Sequence, residues 1–500
     1  MLKKLRLQTV EFVDSHSKLN NQTFVMEGLR PSIVVYRNGS QETGTNFERL
    51  ESWIELVPEA DVFDNDGEFM PETGVGTDIV GRLLGYTVAQ MTSGFWTHCF
   101  SAVVFTDGAR LIRWDRAGAI ISERFSVTDE SNPLIEFCQR LDYITPEQRG
   151  HDPSVRTPSD RQRQEACDAL RPIRGVNGIE INEETLVEYL VNDATGKTRS
   201  FIGPPPKKQV MLLRGRSTRG CPVYDDETKR ICYMKDTWRI DSSDLKREGD
   251  IYAVLLEKGV HGVAKVVVHG DVNVDHLYTN YGNQVGSDLP QNSSSCSDFN
   301  SLHCTQTDKF CEKEWANRPG RRMQGFVHYR LVLDTVGRDL SSFKSSKEAL
   351  QALIDALTGM VPPFSLAMSL MSSLALAHGE AYTKARILHQ DISLGNIIIT
   401  ENGRGILIDW DFAHTLSDYP PKGFVVSYSF LNLSGVRSLT IPEGDMAIHV
   451  RRIATRPEQK NSFVFRRFGI FLTRNNLAIP TVFSVQLGEV EYSKLPEESV

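Results

Sequence analysis

Cysteine is scarce in this chain, 8 among 500 residues, and no two of them form a C-x-x-C pair. That excludes a disulfide-built scaffold and points to a reducing intracellular compartment, cytoplasmic or nuclear. Cys296, His303, Cys304 and Cys311 lie close together in the chain, but without paired spacing they are not expected to hold zinc. Excess positive charge is missing too. The 56 Lys and Arg stand against 64 Asp and Glu, a net −8, so no global field draws the chain to nucleic acid or an anionic membrane. The start, MLKKLRLQTVEFVD, is basic but has no apolar core of signal-peptide length. The most apolar run, Met360 to Ala377, carries Pro362, Pro363 and several serines. It reads as a buried or amphipathic helix rather than a membrane span of about twenty residues. What is left, 40% hydrophobic and 24% charged, is an ordinary soluble composition in a chain long enough for two or three domains.

Apolar steps of three and four predict a helix over 78–98. FSAVVFTDGARLIRWDRAGAIISERF then predicts three short strands, with turns at Thr106-Asp107-Gly108 and Asp115-Arg116-Ala117-Gly118. A second helix is expected over 131–145. Residues 1–60 show no clean period, and Glu55, Glu59 and Asp61 read as a solvated acidic loop rather than a metal site. Gly203-Pro204-Pro205-Pro206-Lys207-Lys208 punctuates the chain as a linker or lobe entry. Just before it, Gly196-Lys197-Thr198 looks like the end of a phosphate-binding loop. Val191 stands where that loop needs its first glycine, so the likeness fails.

From 209 onward strands are expected again. Gly215 and Gly220 bracket a turn that suits backbone lying over phosphates. The third glycine of G-x-G-x-x-G is absent, and an ordinary hairpin explains the same residues equally well. Lys235 ends the run Ile231-Cys232-Tyr233-Met234, and Glu248 follows in the helical-looking LKREGDIYAVLLEKG. A lysine at a strand end is usually only solvated, but a Lys that reaches α/β-phosphates and a Glu that orients it occur in this order. Residues 270–320 form a long polar insertion, VHYRLVLDTVG a strand entering a hinge, and Ser346–Thr358 a helix. Without Met360 to Ala377, DALTG would join HGEAYTKARILHQD as one amphipathic helix, so the apolar run reads as an insertion.

The most informative stretch is His389-Gln390-Asp391-Ile392-Ser393-Leu394-Gly395-Asn396, followed by Leu407-Ile408-Asp409-Trp410-Asp411. It sets an Asn five residues after an Asp, and a second Asp thirteen residues later behind an apolar run. Phosphoryl transfer from ATP asks for that set: one carboxylate to orient or deprotonate a hydroxyl, and an amide plus a second carboxylate to hold metal ions. His389 is expected to be a structural member of the loop rather than a base.

ARLIRWDRAGAII, Pro146-Glu147-Gln148-Arg149-Gly150, REGDIY, Thr305-Gln306-Thr307 with Trp315, HYRLVLDTVGR, ILHQDISLGNIII and LIDWDFA together resemble the fungal-type protein kinase family. The resemblance implies an α+β, protein-kinase-like bilobal fold with an additional N-terminal α/β domain. It implies ATP and Mg²⁺ as cofactors and transfer to a protein hydroxyl. Carried over by position, Asp391 is the catalytic base, Asn396 and Asp409 are metal ligands, Lys235 is the phosphate contact and Glu248 its partner. The expected organisation is an extension over 1–200, an N-lobe over 201–340 with the insertion at about 271–320, a partial C-lobe over 341–450 and an atypical tail over 451–500. The chain departs from the usual pattern at Gln390, which replaces the Arg of H-R-D, at Ser393, where a Lys is usual, and at Asp411, which replaces the glycine of D-F-G. Arg437 to Ile448 reads as a disturbed family block. Residues 451–474 hold seven basic and one acidic side chain, read as a solvated tail rather than a nucleic-acid contact. The expected partner is a protein substrate that the sequence does not identify. A pseudokinase scaffold and a small-molecule phosphotransferase remain alternatives.

Overall fold

The computed structural model describes residues 5, 7–15, 28–63, 74–128, 132–175, 180–193, 195–206, 213–273, 302–310, 323–358, 379–415, 427–428, 449–452 and 483–486. Met360 to Ala377, the segment 209–212, most of the polar insertion and the disturbed block near 437–448 lie outside them. The chain divides into two compact units. One comprises 1–174, 179–245 and 268–332, the other 175–178, 246–267 and 333–500. The elements form a mixed α+β chain with several sheets.

The first unit opens with a six-stranded sheet in chain order: β1 (Val10–Asp14), β2 (Ile33–Arg37), β3 (Ser52–Leu56), β4 (His98–Val104), β5 (Ala109–Asp115) and β6 (Gly118–Ile121). The three expected strands over 98–121 are present, and β1–β3 are three that the sequence hid. Strand β3 pairs in parallel with β4 and is buried along most of its length, so it shows no polar alternation. Its Trp53 packs with Tyr36, Leu83 and Trp114 on one face, and its Ile54 with Ala102, Leu134 and Cys138 on the other. Helix α1 (Gly74–Ser93) and helix α2 (Pro133–Tyr143) supply those covers. Glu55 is correspondingly no solvated residue: it is 3% exposed and accepts from Ser32 N at 2.8 Å. Asp61 pairs with Arg110 at 2.6 Å.

The Pro146–Gly150 block caps this layer. Pro146–Arg149 is a short helix with a Thr145/Gln148 capping box. Arg149, 4% exposed, bonds Glu51 and the carbonyls of Leu141 and Ile144. Gly150 has φ 115°, and a Cβ there would lie 1.9 Å from the His98 carbonyl oxygen, so no other residue fits.

The second sheet has seven strands in the order β12-β13-β11-β10-β9-β8-β7. In chain order these are β7 (Val155–Arg156), β8 (Val187–Asn192), β9 (Thr198–Gly203), β10 (Arg219–Asp225), β11 (Arg230–Ile240), β12 (Val266–Asp271) and β13 (Phe326–Leu333). β10 and β11 form an antiparallel hairpin. The second unit contains helix α3 (Glu248–Glu257), helix α4 (Ser346–Thr358), helix α5 (Gly379–Ala385) and a three-stranded sheet. That sheet runs β14 (Arg338–Asp339), β15 (Ile397–Ile399) and β16 (Gly405–Leu407). In the tail, His449–Arg452 pairs antiparallel with Phe483–Gln486. Among the described residues no helix is long and apolar enough to cross a membrane, and the described cysteines are free.

Candidate active site

The second unit is built around the β15–β16 hairpin, which pairs Ile397 with Leu407 and Ile399 with Gly405. Isoleucines at three successive positions suit a strand buried on both faces. Helix α4 lies so close that a Cβ on Gly405 would meet the Ala352 carbonyl oxygen at 1.9 Å. Asp355 of α4 also takes Arg404 Nε at 2.7 Å and Gly405 N at 3.0 Å. The hairpin therefore has little freedom to slide, and it fixes the two loops that leave its open end at Ile397 and Leu407.

One of those loops is His389–Asn396. His389 is fully buried. Its Nε2 faces the Ile408 carbonyl at 2.9 Å, and its Nδ1 accepts from Asp391 N at 3.4 Å. That pattern requires a neutral ring with the proton on Nε2, so His389 shapes the loop, as expected from the sequence. Asn396 Nδ2 donates to Asp391 O at 2.8 Å and to Asp391 Oδ2 at 3.2 Å. The amide thereby closes the loop and leaves its own oxygen for another partner. Gln390 between them takes φ 66°, a left-handed conformation that costs about 1–3 kcal/mol away from glycine. Its Nε2 is buried with no partner among the described residues.

The other loop carries Asp409. Ile408 N donates to Asn396 O at 2.8 Å, which ties the two loops together one residue before Asp409. Asp409 also has a left-handed backbone, φ 66° and ψ 61°. Trp410 behind it is 2% exposed, meets His389 edge-on with ring centroids 4.5 Å apart, and donates its indole N–H to Leu407 O. Glu248, the first residue of α3 and 3% exposed, accepts Trp410 N at 3.0 Å. Ile251, Tyr252 and Leu255 follow on the same buried face of α3 at the helical spacing. Oxygens of Glu248, Asp409 and Asp411 all lie within 4.8 Å of one another. Three carboxylates that close repel unless a cation or a proton lies among them. Asp391, Asn396, Asp409 and Glu248 are thus drawn into one neighbourhood of the second unit.

Lys235, Gly215 and Gly220 belong to the first unit. Lys235 sits in the middle of β11 rather than at a strand end, 8% exposed. Gly220 lies inside β10, directly opposite Lys235 in the ladder. It is therefore no edge of a turn. A Cβ on it would meet Tyr233 Oη at 2.4 Å, so glycine there lets the tyrosine ring lie across the strand as it does. Gly215 does lie in the loop, with φ 128°, and its N–H is held by Arg116 O at 3.1 Å.

Beside Lys235 lies a buried network that no sequence pattern announces. Asp236 accepts from Arg330 Nε at 2.9 Å, His328 Nε2 at 2.7 Å and Arg219 Nη2 at 3.0 Å. Arg330, with no exposed surface, reaches on to Asp152 Oδ2 at 2.9 Å, Ser154 Oγ at 2.8 Å and Leu190 O at 2.9 Å. Burial raises the Asp152 carboxyl, but the Arg330 charge, the two neighbouring histidines and the Ser154 hydrogen bond together outweigh it and hold the group down at about 2. Burial pushes the His303 imidazole beside it down to about 4. His303 was singled out in the sequence with three cysteines, yet its neighbours are His328 at 3.4 Å and Asp152 at 3.7 Å. Cys304 instead lies beside Lys309 Nζ and Gln306 Nε2, and Cys296 and Cys311 are outside the described residues.

No curated protein matches the sequence at a significant level. The sequence model for fungal protein kinases, however, matches residues 92–423. That span takes in Gly150, Asp152, Lys235, Glu248, Asp391 and Asp409, and it covers well over half of the chain. On that match, and with the α+β architecture above, the chain belongs to the fungal protein kinase family.

Proposed function

We propose that this chain is an ATP-dependent protein kinase on a bilobal kinase-like fold, transferring the γ-phosphoryl group to a Ser or Thr hydroxyl of a protein. The observation that carries this reading is the tie between the two loops: Asn396 bonds the Asp391 carboxylate at 3.2 Å, while Ile408 N bonds Asn396 O at 2.8 Å just before Asp409. Asp391 is then the group that orients the substrate hydroxyl and takes up its proton. Asn396, with its nitrogen occupied by Asp391, presents an oxygen, and Asp409 presents a carboxylate. Oxygen donors of this kind suit Mg²⁺, and Glu248 and Asp411 add further negative charge beside Asp409. Bound Mg²⁺-ATP would supply the transferable phosphoryl group and neutralise its charge. Lys235 is the proposed phosphate contact, with Gly215 of the preceding loop and Gly220, opposite the lysine on β10, as the glycines beside the phosphates. Glu248 holds the Trp410 amide and so the backbone that presents Asp409.

The test is ATP turnover with Mg²⁺ and a generic protein substrate, wild type against Asp391→Asn. Loss of the general base predicts a fall of about 10²–10⁴-fold; equal turnover in the two proteins ends the enzyme reading. A nucleotide-binding pseudokinase is the second reading, favoured by Asp411 in the position of the usual glycine. A nucleotide-induced thermal shift that disappears in Asp409→Ala, with no turnover in wild type, would select it.

A further inference from the structure

Strand alternation connects Lys235 to the buried network. Successive residues of a strand point to opposite faces, so Asp236 points away from the side on which Lys235 stands. The ladder pairs Gly220 with Lys235 and Arg219 with Asp236. Arg219 and Asp236 thus share one face as an ion pair at 3.0 Å, and Gly220 and Lys235 share the other. A slip of β11 by one residue would exchange the faces.

The face that holds Asp236 looks onto residues from far along the chain. Arg330 of β13 bridges Asp236 and Asp152, and Asp152 lies just past Gly150, its N–H bonded to Phe95 O at 3.0 Å. Arg219 in turn reaches Gly94 O and lies over the Phe95 ring. The chain therefore grips the Asp236 side of β11 with residues 94–154. Such burial of charge is costly unless every group is paired. Arg330 meets that condition, with Nε, Nη1 and Nη2 all engaged.

A metal centre is the alternative use of this cluster, because Asp152, His303 and His328 bring ligand atoms within 4.8 Å of one another. The carboxylate argues against it: Asp152 Oδ2 already accepts from Arg330 Nη2 at 2.9 Å and Oδ1 from Ser154 N at 2.9 Å, so the guanidinium supplies the positive charge of this cluster. Between the imidazoles, whose Nδ1 atoms are 3.4 Å apart, an N–H···N bond fits, with His328 Nε2 donating to Asp236.

We propose that Asp152, Arg330 and Asp236 are positioning residues for Lys235: residues 94–154 hold β11 in the one register that keeps the lysine on the phosphate-binding face. The inference rests on the kinase reading for the lysine's task, and its test does not depend on turnover. Full-length protein is treated with an amine-acylating reagent, and modification of the peptide containing Lys235 is followed by mass spectrometry, with near-UV circular dichroism as the check on folding. Lys235 is 8% exposed and should react slowly in wild type. Asp236→Asn is expected to react at least threefold faster, and so is Arg330→Lys, which keeps the charge but cannot span both carboxylates. Asp61→Asn, which breaks a comparably buried pair with Arg110, should leave the rate unchanged. An unchanged rate in folded Asp236→Asn or Arg330→Lys overturns the proposal, as does an equal rise in Asp61→Asn. Should ATP fail to slow the labelling of wild type, the kinase reading falls, while the comparison of variants still decides the network.

Discussion

The backbone N–H of Trp410 donates to Glu248 Oε1 at 3.0 Å, across 162 residues of sequence. The residue after Asp409 is thus held by the first residue of a helix from a distant part of the chain. Both groups are buried, so the bond has no water to replace it.

Glu248→Ala should leave the Trp410 amide unsatisfied, at about 1–3 kcal/mol, and should lower turnover at least tenfold. Glu248→Gln keeps an acceptor and should recover most of the stability without the activity. Thermal denaturation beside ATP turnover separates the two effects, and equal stability of the Ala and Gln variants would show that the bond contributes nothing.

Gly150→Ala places a methyl carbon on the His98 carbonyl at a backbone φ of 115°. The clash and the strain together should cost more than about 2 kcal/mol. The readout is the denaturant midpoint of the purified protein. A midpoint within error of wild type would mean that the Pro146–Gly150 block can shift freely.

His303 gives the pH dependence a definite sign. Its folded value of about 4 lies below the ordinary 6.5 of a free histidine, so the unfolded chain binds the extra proton first. Its contribution to stability is complete above pH 6.5 and is lost as pH falls toward 4, on the order of 3 kcal/mol over that window. Asp152, held at about 2 against 3.8, contributes above pH 3.8 and is lost only below it. Urea midpoints measured from pH 7 to pH 4 should therefore fall in wild type and fall less in His303→Asn. Parallel curves for the two proteins would refute this assignment.

The candidate loop was legible because its pattern is local: Asp391, Asn396 and Asp409 sit at fixed spacings within 391–409, and the hairpin between them reads as apolar runs. Glu248 could be found from its order after Lys235. The network around Arg330 could not, since Asp152 lies 178 residues away from it in the chain and nothing in either neighbourhood names the other. The place of His303 was hidden for the same reason: the structure sets it beside His328 and Asp152, which nothing in its own stretch of sequence names. Strands β2 and β3 escaped because burial on both faces erases the alternation by which a strand is recognised, and Gly220 passed for a turn residue because its reason for being glycine is the Tyr233 ring across the strand.

Asn396→Ala removes both bonds to Asp391 and should lower turnover by about 10²-fold or more while barely changing the midpoint of unfolding, because the loop is partly exposed. Rescue by Asn396→Gln is not expected, as the longer amide cannot reach Asp391 O and Oδ2 together. Steady-state kinetics with the protein substrate, read as kcat against KM for ATP, is the check.

Asp409 occupies a left-handed backbone that a glycine would adopt without penalty. Replacing it with glycine should therefore make the protein more stable while destroying its proposed use. Stability beyond what function needs is not itself favoured in natural proteins, so an aspartate can hold this position at a cost that glycine would not carry. The same position offers an engineer a simple diagnostic: a variant that melts higher and does nothing marks where this fold gives up stability for chemistry.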